Sequence, residues 1–261
     1  MMTRTAVFLH GGTAGGWAWQ PQIEAFGDRP TLAPDLPGYL SRADERWTSF
    51  DLAADRIAAL IAEKADGPVD VIGLSLGAIT ALHLASRHPD LVASAFVTGT
   101  SVLPYPSAQR AGNRVALALW NRRFYWTGMA RVLGLRGDDA ESFVAMAPPV
   151  SRSSIRDQLR EVHPGGVTRL ESVTAPVLAV VGERESAYFH RSLSAIGAAI
   201  PHAELGVAPG MHHGWSGEDD ALFNRILRVW LDEGRKSDEL LPPTSASPSA
   251  AQLGEARPRR Q

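Results

Sequence analysis

The chain has 261 residues, a formal net charge of −2 and a hydrophobic fraction of 44%, which fits one sizeable domain better than several small ones. It has no cysteine, which excludes disulfides, thiol nucleophiles and cysteine metal sites, and its near-neutral balance offers no basic stripe for a nucleic acid. No stretch reaches the roughly 18 apolar residues of a membrane span, and the first apolar run, Ala6–Leu9, is too short for a signal-peptide core, so the chain reads as a soluble, cytoplasmic protein without a membrane partner.

In chain order, short apolar runs alternate with helical patterns. Residues 4–9, 31–34, 69–73, 92–98, 177–181 and 203–208 are rich in Val, Leu, Ile or Ala and are bounded by Gly, Pro or Asp, as buried strands are. Between the second and third runs, residues 50–64 set Leu52, Ile57, Leu60 and Ile61 on one helical face, and Thr48-Ser49-Phe50-Asp51 offers a capping box. Residues 76–88 form a helix stopped by Pro89, and residues 219–233 form another with Leu222, Ile226, Val229 and Trp230 inward. The alternation predicts an α/β fold, a mostly parallel sheet with helices on both faces.

Residues 104–170 break the pattern. They carry no strand signal, but helical stretches bearing Leu117, Leu119, Trp120, Phe124, Tyr125, Trp126, Leu133, Phe143 and Met146. They read as a helical lid over one end of a core made of residues 1–103 and 171–236, or as an ordinary helical layer of that domain. The segment has ten arginines against five acids, a charge of +5 that leaves −7 on the remainder. That face is either a solvated surface or an anchor for an anionic substrate. From Ser237 to Gln261 the chain is rich in Pro, Ser and Ala without periodicity, which predicts a disordered tail.

The strongest chemical signal is Gly73-Leu74-Ser75-Leu76-Gly77, between the run Val69-Asp70-Val71-Ile72 and the helix that follows. A G-x-S-x-G in strand–turn–helix context is a nucleophile elbow. The tight turn strains the serine backbone, the glycines remove side chains that would clash, and the helix N-terminus favours developing negative charge.

With this motif in place, residues 4–232 resemble the α/β-hydrolase superfamily. Leu9-His10-Gly11-Gly12 is similar to its oxyanion loop, and Asp35-Leu36-Pro37-Gly38 to its next turn. The resemblance implies Ser75 as nucleophile, with the Gly12 and Leu76 amides as the oxyanion hole and His10 as a prop for the loop. It implies a base in Pro209-Gly210-Met211-His212-His213-Gly214-Trp215, where His213 fits the pattern best and His212 stays open. It implies an acid in Gly182-Glu183-Arg184-Glu185, where Glu185 replaces the usual Asp and Glu183 is the competitor. The order Ser75, Glu185, His213 is that of the fold. The chain begins on the strand that leads to His10, so a six-stranded sheet is expected, with an edge to be covered by a dimer contact or the N-terminal residues.

This set implies acyl transfer to water on a small-molecule ester or thioester, through an acyl-enzyme and without a cofactor or metal. Trp17, Trp120, Phe124, Tyr125, Trp126 and Met146, with Trp19 beside them, are the expected lining of an apolar substrate pocket. Two other readings stay open: a lyase or cyclase on the same fold, and a binding protein that has lost turnover.

Overall fold

Strands whose two faces are both covered keep no polar alternation, and here that is what the continuous apolar runs become. The computed structural model describes residues 3–132, 137–148, 150–167 and 169–243, excluding the side chains of Val132, Asp138, Asp139, Ser142 and Met146. Within it lie β1 (Ala6–Leu9), β2 (Thr31–Leu32), β3 (Val69–Leu74), β4 (Val92–Thr98), β5 (Val177–Gly182) and β6 (Glu204–Ala208). They form one six-stranded sheet in the order β2-β1-β3-β4-β5-β6. Every pairing is parallel.

Side chains alternate between two cores. Val7, Leu9, Val71, Val97 and Ala179 point to one face, where α2 (Phe50–Lys64), α3 (Leu76–Arg87) and α8 (Ala187–Ala199) pack. Phe8, Ile72, Phe96, Leu178 and Val180 point to the other, against Trp19, Phe26, and α10 (Asp220–Glu233) with Phe223 and Trp230. The short helices α1 (Gln20–Ala25) and α9 (Trp215–Glu218) complete this second layer. No helix among the described residues is long and apolar enough to cross a membrane.

Two helix faces differ from the sequence expectation. In α2 the buried stripe is Phe50, Ala53, Ala54, Ile57, Ala58 and Ile61, whereas Leu52 is exposed and Leu60 half-buried. Small alanines let α2 lie close on α3, and closeness outweighs side-chain size. Ser49 is the cap, its hydroxyl accepting from the Leu52 amide at 3.1 Å. In α10 the inward set is Leu222, Phe223, Ile226, Leu227, Trp230 and Leu231, with Val229 half-buried.

The outer edge of β6 is closed by the chain itself. Val207 and Leu241 exchange two backbone hydrogen bonds, each 2.9 Å, in an antiparallel bridge. Leu240 is buried beside them, and Lys236 Nζ donates to the Leu205 carbonyl at 3.2 Å. Residues 237–243 therefore do not belong to the tail expected from composition, because two leucines among prolines and serines supply a pairing edge. Residues 244–261 lie outside the described ones.

Between β4 and β5 the described residues form α4 (Ser107–Leu119), α5 (Arg123–Val132), α6 (Gly137–Met146) and α7 (Arg152–Val162). Leu133 and Arg136 fall outside the described residues. Tyr39 forms an isolated antiparallel bridge with Val150, just ahead of α7. The polar helix α7 packs through paired groups: Ser154 Oγ accepts from the Trp47 amide at 3.3 Å, Arg46 pairs with buried Asp157, and Glu161 Oε2 accepts from the Phe50 amide at 2.7 Å. Burial holds the Glu161 carboxyl above its ordinary range.

Candidate active site

The chain leaves β1 toward one side of the sheet and returns to β3 on the other, so the strand order reverses between them. The loops at the carboxyl ends of two such strands splay apart, which makes this the natural crevice of a parallel sheet. Ser75 stands at the carboxyl end of β3 and His10-Gly11-Gly12 at that of β1.

Ser75 has φ 55° and ψ −111°, a left-handed conformation rare for a side-chain-bearing residue. Its amide donates to the Thr98 carbonyl at 2.9 Å, which ties the turn to β4. The flanking glycines are sterically required. A Cβ on Gly73 would meet the Gly77 carbonyl oxygen at 2.5 Å, and one on Gly77 the Leu9 carbonyl oxygen at 2.0 Å. The strained serine thereby caps α3 with the positive end of the helix dipole behind it.

The loop after β1 is held by His10. Its Nε2 accepts from the Leu36 amide at 2.9 Å, so the ring proton sits on Nδ1 and is donated to the Gly11 carbonyl at 2.8 Å. Burial drives the His10 pKa down to about 4, and the ring stays neutral. In a trans peptide C=O and N–H point in opposite directions, so anchoring the Gly11 carbonyl also orients the Gly12 N–H. Neither the Gly12 nor the Leu76 amide donates to another group among the described residues. A Cβ on Gly12 would lie 3.9 Å from that of Leu76, so the two free donors belong to adjoining backbone.

His213 Nδ1 and Glu185 Oε2 are 2.8 Å apart. A carboxylate only accepts, so Nδ1 carries the proton and Nε2 keeps a free lone pair. The Glu185 side chain is 1% exposed, and its other oxygen accepts from the Gly182 amide at 3.1 Å. Phe189 packs on the imidazole with ring centres 4.8 Å apart. The competitors face elsewhere. Glu183 Oε2 accepts from the Gly210 amide at 2.7 Å, and exposed His212 pairs with Glu218 at 2.7 Å.

A cavity of about 580 Å³ brings together Ser75, Leu76, Gly12 and His213 under α4 and α7. Among the described residues no hydrogen bond joins Ser75 Oγ to His213 Nε2, a contact often looser without substrate. Of the aromatic residues expected in the lining, Trp19, Trp120 and Tyr125 are there, and three are not. Trp17 is 54% and Phe124 65% exposed. Trp126 is buried against Trp120, its Nε1 donating to the Trp120 carbonyl at 2.7 Å. Successive residues of a helix are about 100° apart, so Phe124, Tyr125 and Trp126 cannot all face one space. The Met146 side chain lies outside the described ones. Among the described residues no arginine lines the cavity, and every described arginine of the 104–170 segment is exposed, as on a solvated face.

Sequence reasoning missed several lining residues, among them Ser101, Tyr105, Asn113, Ile155 and Gln158. Ser101 Oγ and Tyr188 OH are 2.6 Å apart, and Asn113 Nδ2 lies 3.2 Å from His163 Nε2. Burial, with Arg110 and Arg114 nearby, lowers the His163 pKa. Only the amphipathic spacing of Ile155, Leu159 and Val162 along α7 could have signalled that helix as a cavity wall.

Known proteins share this fold. The sequence model of the alpha/beta hydrolase family matches residues 6–226. Esterase Rv0045c of Mycobacterium tuberculosis is 40% identical over 88 residues, 33% of this chain and 29% of that protein, so the aligned stretch spans less than a third of the relative's length. A pimeloyl-[acyl-carrier protein] methyl ester esterase of Neisseria meningitidis serogroup A is 29% identical over 226 residues, covering 78% of this chain and 70% of that protein. The crystal structure of a hydrolase from Pseudomonas aeruginosa PA01 superimposes with a TM-score of 0.74 at 18% identity, covering 88% of this chain and 90% of that one. With the family matched over most of its length and the same fold in solved structures, the chain belongs to the α/β-hydrolase family.

Proposed function

We propose that the protein hydrolyses small, uncharged carboxylic esters or thioesters through Ser75, His213 and Glu185. The observation that carries this reading is the 2.8 Å contact of His213 Nδ1 with buried Glu185, which leaves Nε2 as a base in the cavity that Ser75 lines. In this reading Nε2 takes the Ser75 proton, Oγ attacks the acyl carbon, and the Gly12 and Leu76 amides receive the negative charge on the carbonyl oxygen. The imidazolium gives its proton to the leaving alcohol or thiol. Water, deprotonated by the same nitrogen, then releases the acid from the acyl-enzyme. Among the described residues no Arg, Lys, Asp or Glu lines the cavity, and burying a charged substrate there without a partner would be costly, which supports an uncharged substrate. The esterases among the relatives support ester chemistry.

Intact mass after incubation with a fluorophosphonate probe tests it. One adduct on the wild type and none on Ser75→Ala is expected, followed by turnover of short-chain 4-nitrophenyl esters. A folded wild type that takes no adduct would overturn the nucleophile and turn the reading to a lyase or cyclase on this fold.

A further inference from the structure

The Tyr39 hydroxyl lies 3.0 Å from the Gly12 carbonyl oxygen and 3.1 Å from Gln158 Oε1. A phenol carries one proton, and both neighbours are acceptors as they stand. Burial also pushes the phenol pKa up, so the proton stays. One of the two contacts therefore has no hydrogen in it. Meanwhile Gln158 Nε2 is buried without a partner among the described residues, in a residue only 3% exposed. One change removes both conflicts. The oxygen and nitrogen of a carboxamide have nearly the same shape, and turning the Gln158 amide over sets its NH2 beside the phenol oxygen. Nε2–H then donates to Tyr39, and Tyr39 O–H donates to Gly12. The oxygen that takes the buried place is an orphan acceptor, which folded proteins tolerate more readily than an orphan donor.

We propose that Gln158 and Tyr39 form a one-way donor chain, Gln158 Nε2–H to Tyr39 O–H to Gly12 C=O, by which α7 positions the oxyanion loop; the role in catalysis rests on the esterase reading above. The loop needs such a hold, since Gly11 and Gly12 in sequence leave its backbone otherwise loose. His10 fixes the peptide before Gly12 and Tyr39 fixes the one after it. The Tyr39 ring packs edge-on against His10 with centres 4.9 Å apart, so the two supports are one block. Donors in series polarise one another. Tyr39 and Gln158 are thus positioning residues that act through Gly12.

The test compares Tyr39→Phe, Gln158→Leu and Gln158→Glu by kinetics on a 4-nitrophenyl ester, by affinity for a trifluoromethyl ketone that forms an oxyanion on Ser75, and by hydrogen exchange of residues 10–16. Tyr39→Phe should lower kcat about 10- to 30-fold with KM within about twofold, and lose a similar factor in ketone affinity. All assays run at about pH 9, where a carboxyl raised by burial is ionised, and a carboxylate at 158 then only accepts and takes the phenol proton from Gly12. Gln158→Glu should therefore be slower and exchange faster than Gln158→Leu, although it is closer in shape. Gln158→Glu equal to or better than Gln158→Leu in both readouts would overturn the chain. If Gln158→Glu does not fold, the Tyr39→Phe/Gln158→Leu double variant decides. It should be no worse than Tyr39→Phe alone, and additive losses would overturn the proposal. If the wild type turns over no ester, the exchange order still decides the donor chain, and the functional reading fails by itself.

Discussion

A Cβ placed on Gly99 would stand 2.7 Å from Cε1 and 2.9 Å from Nδ1 of His213. The imidazole lies directly on the bare backbone that leaves β4, with Phe189 as a second ring contact. Gly99 also has φ +60°, where a side chain adds strain. Gly99→Ala should push the ring off Glu185 and lower kcat/KM on an activated ester about 100-fold. The thermal midpoint should fall by only a few degrees, since about 1 kcal/mol of backbone strain is added. Unchanged kinetics would mean that the ring position is not set by this contact.

Glu185→Gln keeps the shape of the pair but supplies an amide that can donate to Nδ1. The proton then moves to Nε2, which can no longer act as base. A kcat loss of about 10³- to 10⁴-fold is expected. Glu183→Gln and His212→Ala, whose partners are the Gly210 amide and Glu218, should stay within about twofold. Stopped-flow and steady-state rates on one ester read all three, and a large loss in either control would reassign the acid or the base.

Two glycine-to-alanine changes should act with opposite sign on stability. At Gly77 the new Cβ would meet a carbonyl oxygen of β1 at 2.0 Å, and backbone cannot swing aside as a side chain can. A loss of about 2–4 kcal/mol is expected. At Gly112, within α4, nothing lies within 4 Å of the new Cβ, and alanine should add about 0.5–1 kcal/mol. Urea unfolding measures both, and a destabilised Gly112→Ala would contradict the geometry of α4.

His10 should make stability depend on pH. Its pKa is 6.5 in an unstructured chain and about 4 in the fold. Between those values the unfolded chain binds more protons, so stability rises with pH. The contribution is fully present above pH 6.5 and is lost as the pH falls toward 4, by about 3 kcal/mol. His10→Gln should be less stable at pH 7 yet show a flatter profile from pH 7 to 4.5. Parallel urea-midpoint profiles for wild type and variant would refute the assignment.

The six strands were legible because burial on both faces writes an unbroken apolar run, and the elbow because strain there needs Gly73 and Gly77. Glu185 and His213 were reached only through the resemblance to the family, because the local sequence offers Glu183 and His212 equally, and it is the 2.8 Å pairing in the fold that separates them from those neighbours. Which aromatics line the cavity was not, although helical geometry alone separates Phe124, Tyr125 and Trp126. Helix α7 was opaque for another reason. Its buried Ser154, Asp157 and Gln158 are polar residues that pair with groups more than 100 positions away, and no local periodicity reports such pairing. Leu240 and Leu241 were hidden likewise, because a two-residue bridge leaves too short a pattern.

That bridge has a consequence for how the protein is made. The residues that pair with β6 on its outer side lie beyond α10, so during vectorial synthesis β6 can assemble onto β5 while its outer edge is still bare. A nascent or prematurely terminated chain would carry every residue named in the site and yet present an open parallel-sheet edge to its neighbours on the polysome, where like edges pair. Leu240 and Leu241 thus cover that edge only after every residue named in the site has been made.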